Sequence, residues 1–232
     1  MAGKIFYLLV DCFKIVRSGK KTTTQARALK IFLLVILIFF FPGLRSSAFS
    51  GIRPAIKLGA GRAELFGRDA FKQTWKTFIS GGLTSELLIW ERLSLETGLM
   101  FVPGGSVYRL DDEETGYQET TSLAYVQVPV LAKFYLKQGN RYCLYLTAGP
   151  AVALNVKAQL EVILAGEKSS VKIDQLKGKE LGLNLGAGVG YRTGPGFLLL
   201  ELVFSQGLNS ISKEPEEDIK NRKIFFLLGF RL

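Results

Sequence analysis

Apolar and polar side chains alternate without a break over residues 142–157. One parity, which includes Leu146 and Val152, is apolar or aromatic throughout, while the other is small and polar and ends in Lys157. A period of two places the two sets on opposite faces of a sheet, and this segment is much longer than the usual strand of about 5–6 residues. An apolar outer face and a small, polar inner face are typical of a strand in a transmembrane β-barrel.

The same alternation recurs along the rest of the chain. It predicts eight strands, over residues 52–62, 77–90, 93–110, 123–136, 142–157, 181–192, 197–206 and 222–232. The connections between them alternate long and short, as in antiparallel outer-membrane barrels with short periplasmic turns and long extracellular loops. We therefore expect an all-β, eight-stranded antiparallel transmembrane β-barrel with both termini in the periplasm. The alternative, a soluble lipocalin-type barrel, would have an apolar interior and a polar exterior.

The first 48 residues have the organisation of a secretory leader. Basic residues continue to Lys30, an apolar run covers residues 31–41, and the small residues Ser46, Ser47 and Ala48 follow. These are the three regions of a signal peptide, so we expect cleavage after Ala48 and a barrel domain of residues 49–232. The apolar run is too short to span about 30 Å of hydrocarbon as a helix, which disfavours a permanent transmembrane anchor.

The net charge of +10 at first suggests a nucleic-acid-binding protein. Residues 1–48, however, carry eight basic residues and one acidic residue, so residues 49–232 keep a net charge of only +3. No stripe of Lys and Arg with interleaved aromatic residues remains in that part. We therefore expect residues 49–232 to contact outer-membrane lipid and not nucleic acid.

The residue types needed for common catalytic and metal sites are scarce. The chain has no histidine, the commonest general base and metal ligand. Cys12 lies in the predicted leader, which leaves Cys143 without a partner for an internal disulfide. We expect no catalytic residue, no metal and no cofactor, and a lipid-modifying barrel enzyme is the least favoured alternative.

Ten charged residues occupy the polar parity of the predicted strands: Arg53, Lys57, Glu86, Glu96, Lys133, Lys157, Arg192, Glu201, Lys223 and Arg231. An eight-stranded barrel has an interior only wide enough for side chains to fill, and unpaired charges there would be costly. We therefore expect a structural polar network that plugs the lumen. The alternative is a narrow, gated path for small solutes.

Three further expectations concern glycines, aromatics and loops. Gly186, Gly188 and Gly190 lie on the inward parity, where we expect them to make room for long Arg and Lys side chains. The acidic segments 111–119 and 214–218 are expected to be solvated loops. Five aromatic residues beside the predicted short turns suggest an interfacial girdle, namely Trp90, Tyr135, Tyr142, Tyr191 and Phe197.

Several motifs resemble one known family. The most specific are Tyr125-Val126-Gln127-Val128-Pro129 and Ala148-Gly149-Pro150, supported by the alternating glycines from Gly186. Over residues 51–232 the sequence resembles the PorT-like outer-membrane β-barrel proteins of the Bacteroidota, although that family tends to carry Glu at the position of Gln127. The resemblance implies the outer membrane of a Gram-negative bacterium. The resemblance implies little about activity, because some relatives serve a secretion apparatus and most have no assigned role. Our own expectation is a structural or interaction protein of the envelope whose long loops contact envelope or secretion proteins.

Overall fold

The computed structural model describes residues 51–70, 73–109, 117–164, 167–173, 175–194, 196–214 and 216–232. They form eleven strands: β1 (Ile52–Phe66), β2 (Gln73–Thr74), β3 (Lys76–Trp90), β4 (Leu93–Phe101), β5 (Gly104–Arg109), β6 (Gln118–Gln138), β7 (Tyr142–Leu164), β8 (Glu167–Lys172), β9 (Lys179–Thr193), β10 (Gly196–Gly207) and β11 (Lys220–Arg231). Among these residues, no helix is long and apolar enough to cross a membrane. The predicted signal peptide and its cleavage site lie outside the described residues, as do residues 111–116 of the first acidic segment.

The strands close into a ring with eight members. Antiparallel pairing runs from β1 to β3, β4, β6, β7, β9, β10 and β11, and β11 pairs back with β1. The short strand β5 continues the wall position of β4, because both pair with β6. This arrangement confirms the predicted all-β, eight-stranded antiparallel barrel.

The two faces of the wall differ in the sense that the alternation predicts. On β3, Ile79 is 76 % exposed while the adjacent Ser80 is 1 % exposed. Leu146 and Val152 on β7 are likewise exposed, whereas the residues that follow each of them, Thr147 and Ala153, are buried. An apolar exterior around a polar interior is the reverse of a soluble lipocalin-type barrel.

The predicted strand over residues 93–110 is interrupted at Val102 and Pro103, between β4 and β5. Proline has no N–H to donate to a ladder. Val102 still donates its N–H to the carbonyl oxygen of Tyr125 at 3.0 Å. Pairing with β6 then resumes at Gly104 and at Gly105, where φ is 112° and a Cβ would lie 2.1 Å from the Thr121 carbonyl oxygen. A glycine is therefore required where the wall restarts.

Strands on the long-loop side extend further than predicted. β1 continues to Phe66, and β7 continues to Leu164 before β8 returns beside it. The predicted connection over residues 159–179 is therefore largely a hairpin and not irregular chain. This hairpin lies beyond the apolar band, where the outward-facing side chains need not be apolar.

A β-bulge in β7 changes which residues face the interior. Tyr125 pairs with Asn155 and Ala124 pairs with Lys157, which leaves Val156 as an extra residue. The parity reverses after this point, so Ala158 is buried and Lys157 is exposed. The prediction that Lys157 faces the lumen is wrong for this reason.

The interior is filled along the barrel axis by three apolar clusters. Nearest the short turns lie Ala55, Tyr135, Cys143, Tyr145 and Leu199. The middle cluster consists of Ala63, Phe78, Met100, Val102, Val203, Phe225 and Leu227. Nearest the long loops lie Leu123, Tyr125, Ala153, Ala158 and Ile211. Charged and polar side chains are packed against these clusters rather than around an open channel.

Candidate functional site

Six buried charged residues meet inside the barrel, each supplied by a different wall strand. We call this set the lumen network: Lys57 on β1, Glu86 on β3, Glu96 on β4, Lys133 on β6, Glu201 on β10 and Arg231 on β11. Three are carboxylates and three are cations, so the formal charge of the set is zero. Charges removed from water are retained in proteins when they are paired and hydrogen-bonded.

The ion pairs of the lumen network form one unbroken series in which cations and carboxylates alternate. Their N–O distances are 2.6 Å for Arg231–Glu86, 3.3 Å for Glu86–Lys133, 2.9 Å for Lys133–Glu96, 2.5 Å for Glu96–Lys57 and 2.7 Å for Lys57–Glu201. A further approach of 3.7 Å joins Lys133 to Glu201. The series therefore ties six of the eight wall strands together through the interior.

Two tyrosines complete the hydrogen bonding of the carboxylates. Tyr145 donates its hydroxyl to Glu201 at 2.7 Å, and Tyr135 donates its hydroxyl to Glu86 at 2.5 Å. The Lys133 ammonium lies 4.0 Å from the centre of the Tyr145 ring, a cation–π distance. The tyrosines thus both orient the carboxylates and pack against the cations.

Gly188 on β9 makes room for the Tyr145 ring. The two residues are partners across β7 and β9, and a Cβ at position 188 would lie 2.4 Å from two ring carbons of Tyr145. Gly186 and Gly190 similarly face Thr147 and Cys143. The expectation that these glycines accommodate Arg and Lys side chains is therefore wrong, because their cross-strand neighbours are the side chains of β7.

A second polar cluster lies nearer the long loops. Lys223 is 3.8 Å from Glu180, and the Asn221 amide donates to Glu180 at 2.6 Å and to the Tyr125 hydroxyl at 3.1 Å. The Lys223 ammonium also lies 4.6 Å from the centre of the Tyr125 ring. This cluster again combines one cation with one carboxylate, so it adds no formal charge to the interior.

The ten predicted lumen residues fall into three groups. Seven are buried inside, namely the six of the lumen network and Lys223. Arg53 and Arg192 lie at the end of the lumen next to the short turns, and Lys157 lies on the exterior face. The predicted set does not include Glu180, Asn221 or the buried Tyr125, Tyr135 and Tyr145. The tyrosines share the polar parity of their strands, so parity was the signal that identifies them.

The predicted aromatic girdle is present in part. Trp90, Tyr142 and Tyr191 are exposed near the short turns, as expected of an interfacial position. Tyr135 is buried in the lumen, and Phe197 packs against the apolar cluster around it and 4.7 Å from the Arg231 guanidinium. The prediction is wrong for these two because their parity turns them inward.

The space left in the middle of the lumen is small. A cavity of about 30 Å³ lies between the lumen network and the middle apolar cluster. One water needs about 10–15 Å³ on this measure, so the cavity has room for only about two. Thr84 Oγ1 and Asn184 Oδ1, in residues that line it, have no hydrogen-bond partner among the described residues. Among all the residues that the structure describes, no group of three or more Cys, Asp or Glu residues is arranged to hold a metal ion.

A larger cavity of about 360 Å³ opens at the end next to the short turns. We call it the mouth cavity. Arg53, Arg192 and Arg231 line it together with Tyr135 and Phe197. The lumen network separates this cavity from the middle of the barrel. Arg231 is a member of the network, and Tyr135 donates a hydrogen bond to its Glu86.

The chain is similar to a known protein family and to several solved structures. The family model described as outer membrane protein beta-barrel domain matches residues 67–213. Solved structures of similar form include Ail of Yersinia pestis (11 % identity, 78 % of this chain and 98 % of that chain, TM-score 0.41). They also include neisserial surface protein A (15 %, 79 % and 97 %, 0.41) and OprG of Pseudomonas aeruginosa (11 %, 77 % and 95 %, 0.41). No curated protein matches the chain.

Proposed function

The chain belongs to the outer membrane protein beta-barrel domain family, and from this we propose that it is a closed barrel that acts as a structural or interaction protein of the bacterial envelope. In this proposal the long loops face the cell exterior and both termini face the periplasm. Residues 1–48 are the cleaved leader and residues 49–232 are the barrel domain.

The filled lumen is the observation that carries the proposal. A pore needs a continuous hydrated path, whereas the paired charges of the lumen network join six of the eight wall strands across the interior. The cavity beside it holds only about 30 Å³. Opening a path would separate buried ion pairs, and breaking one such pair typically costs about 3–5 kcal/mol.

Extension of the wall beyond the membrane supports a role in interaction. β6 and β7 contain 21 and 23 residues, about twice the 9–11 residues that a tilted strand needs to cross the hydrocarbon. Both meet at the short turn around Gly139, so the excess length lies on the long-loop side. We infer that this projecting sheet, formed by β5, β6, β7 and β8, is the surface offered to a partner.

The motif resemblance to PorT-like proteins supports a finer proposal, that the partner belongs to an envelope or secretion assembly. That resemblance rests on the segment around Tyr125 and Pro129 and on Ala148-Gly149-Pro150. In the structure the first segment is part of β6 and the second is part of β7, which are the two strands that project furthest. Fold alone does not assign such a role.

Conductance measurements test the closed state of the barrel. We expect residues 49–232, refolded and inserted into planar bilayers, to give no regular conductance steps. The double variant Lys57→Ser/Glu201→Ser removes one cation and one carboxylate from the lumen network, and we expect it to conduct because the remaining side chains no longer fill the interior. Regular steps from the unmodified, folded protein would support the narrow-pore alternative instead.

A further inference from the structure

The mouth cavity has the size and lining of a small-molecule site. Its volume of about 360 Å³ lies within the range of about 300–1,000 Å³ that is typical of ligand pockets. Tyr135 and Phe197 supply aromatic walls, and Arg53, Arg192 and Arg231 supply three guanidinium groups. Neither partner binding by the projecting sheet nor filling of the lumen by the lumen network uses the open side of this cavity.

Arg231 is held rigidly at the floor of the mouth cavity. Its Nη1 donates to Glu86 at 2.6 Å and to the Tyr135 hydroxyl at 2.5 Å, and the Phe197 ring centre lies 4.7 Å from its guanidinium. A guanidinium carries five N–H donors. The donors on Nε and Nη2 form no hydrogen bond with the described residues, and they belong to a group whose position is already fixed.

Arg53 and Arg192 lie at the rim and have no carboxylate within ion-pair distance among the described residues. Arg53 is the cross-strand partner of Glu86, yet the ion pairs of Glu86 are made with Lys133 and Arg231. None of the side chains that line the cavity is acidic, and because Arg231 is already paired with Glu86, the unpaired positive charge of the lining side chains comes from Arg53 and Arg192. This imbalance contrasts with the exact pairing of cations and carboxylates in the lumen network.

We propose that the mouth cavity binds a small organic or inorganic anion that carries at least two carboxylate or phosphate groups and enters from the side of the short turns. The planar fork of arginine matches both groups with paired N–H donors. Two guanidinium groups at the rim and one at the floor can each meet a separate oxygen-bearing group. The aromatic walls exclude water from one side of the site, which strengthens these interactions.

Direct binding of two probes tests the site. Pyrophosphate and citrate are titrated separately into residues 49–232 folded in neutral detergent micelles, with isothermal titration calorimetry as the measurement. We expect one saturable site per barrel. Tighter binding of pyrophosphate identifies a phosphate ligand, and tighter binding of citrate identifies a carboxylate ligand; saturable binding of neither probe would overturn the proposal.

Two matched double variants separate the site from general attraction to positive charge. Arg53→Gln/Arg192→Gln removes the two rim cations, while Arg92→Gln/Arg141→Gln removes two exposed arginines near the same short turns that do not line the cavity. We expect Arg53→Gln/Arg192→Gln to weaken the binding of the more tightly bound probe about tenfold or more, since hydrogen bonds to charged groups are strong. We expect Arg92→Gln/Arg141→Gln to leave the affinity for the same probe nearly unchanged.

Equal weakening in both double variants would show non-specific attraction and overturn the proposal, as would unchanged affinity in the rim variant. Among the described residues, the side chains of Arg53 and Arg192 form no hydrogen bond or ion pair with the lumen network, so the rim variant is expected to fold. Heat-modifiable migration in a mild-detergent gel checks folding before each titration. Failure here would leave the proposal of a closed barrel untouched, because that proposal depends on conductance.

Discussion

Lys133 illustrates what the barrel interior demands of a single residue. Its side chain is inaccessible to solvent, and its ammonium lies 2.9 Å from Glu96, 3.3 Å from Glu86 and 3.7 Å from Glu201. The ring of Tyr145 covers a further side of the ammonium. A buried cation is tolerated here because several acceptors replace the water that it has lost.

The outward face of the same wall has the opposite requirement, and Leu146→Arg tests it. This change places a charge in hydrocarbon, and we expect it to lower the free energy of unfolding by about 2–4 kcal/mol. Thr147→Ser, one residue along on the inner face, is the control and should be nearly neutral. Urea titration of both variants in lipid vesicles measures the difference. Equal stability of the two would contradict the placement of lipid against Leu146.

At the scale of elements, the projecting edge strand β8 is the feature most open to a partner. One of its edges pairs with β7, and the other edge pairs with no strand among the described residues. All six of its residues are exposed. Unpaired N–H and C=O groups on such an edge can accept an additional strand from another protein.

Ser170→Pro tests strand addition at β8. Ile173 donates its N–H to Ala158 in the ladder, and because alternate residues of an antiparallel strand face away from the partner, the N–H of Ser170 points to the free edge. The proline removes this donor while the bonds to β7 remain. We expect lower recovery of partner from detergent-solubilised envelope with Ser170→Pro than with the control Ser170→Ala. Equal recovery would exclude strand addition at this edge.

The alternation along the sequence predicts the wall strands well because each must meet lipid on one face over its whole membrane-spanning length. It merges β4 and β5 into one strand, and it does not predict β8, whose six residues are all exposed and which lies beyond the apolar band. It also fails at Val156, because a bulge adds one residue without changing composition. In the candidate site, parity and charge together identify the lumen network, whereas closeness to a turn misassigned Tyr135, which parity alone places inside.

At the scale of the whole molecule, the orientation in the membrane can be tested by labelling. Single cysteines at Lys168 and Glu216 lie on the long-loop side, and those at Gly139 and Gly194 lie at short turns. With Cys143 replaced by Ala in every variant, we expect an impermeant thiol reagent to modify only the first two on intact cells. The same reagent should modify all four after the cells are broken. Labelling at Gly139 in unbroken cells would reverse the proposed orientation.

The lumen network also bears on how the chain folds. Its members come from the first wall strand, Lys57, and from the last, Arg231, as well as from strands between them. During assembly Glu86 lacks its closest cation, and Lys57 lacks its Glu201 partner, until the C-terminal strands have docked. Contacts between such distant parts of a chain form slowly. The balance of charge is therefore complete only in the closed barrel, so an incompletely assembled chain retains uncompensated charges that disfavour it relative to the finished protein.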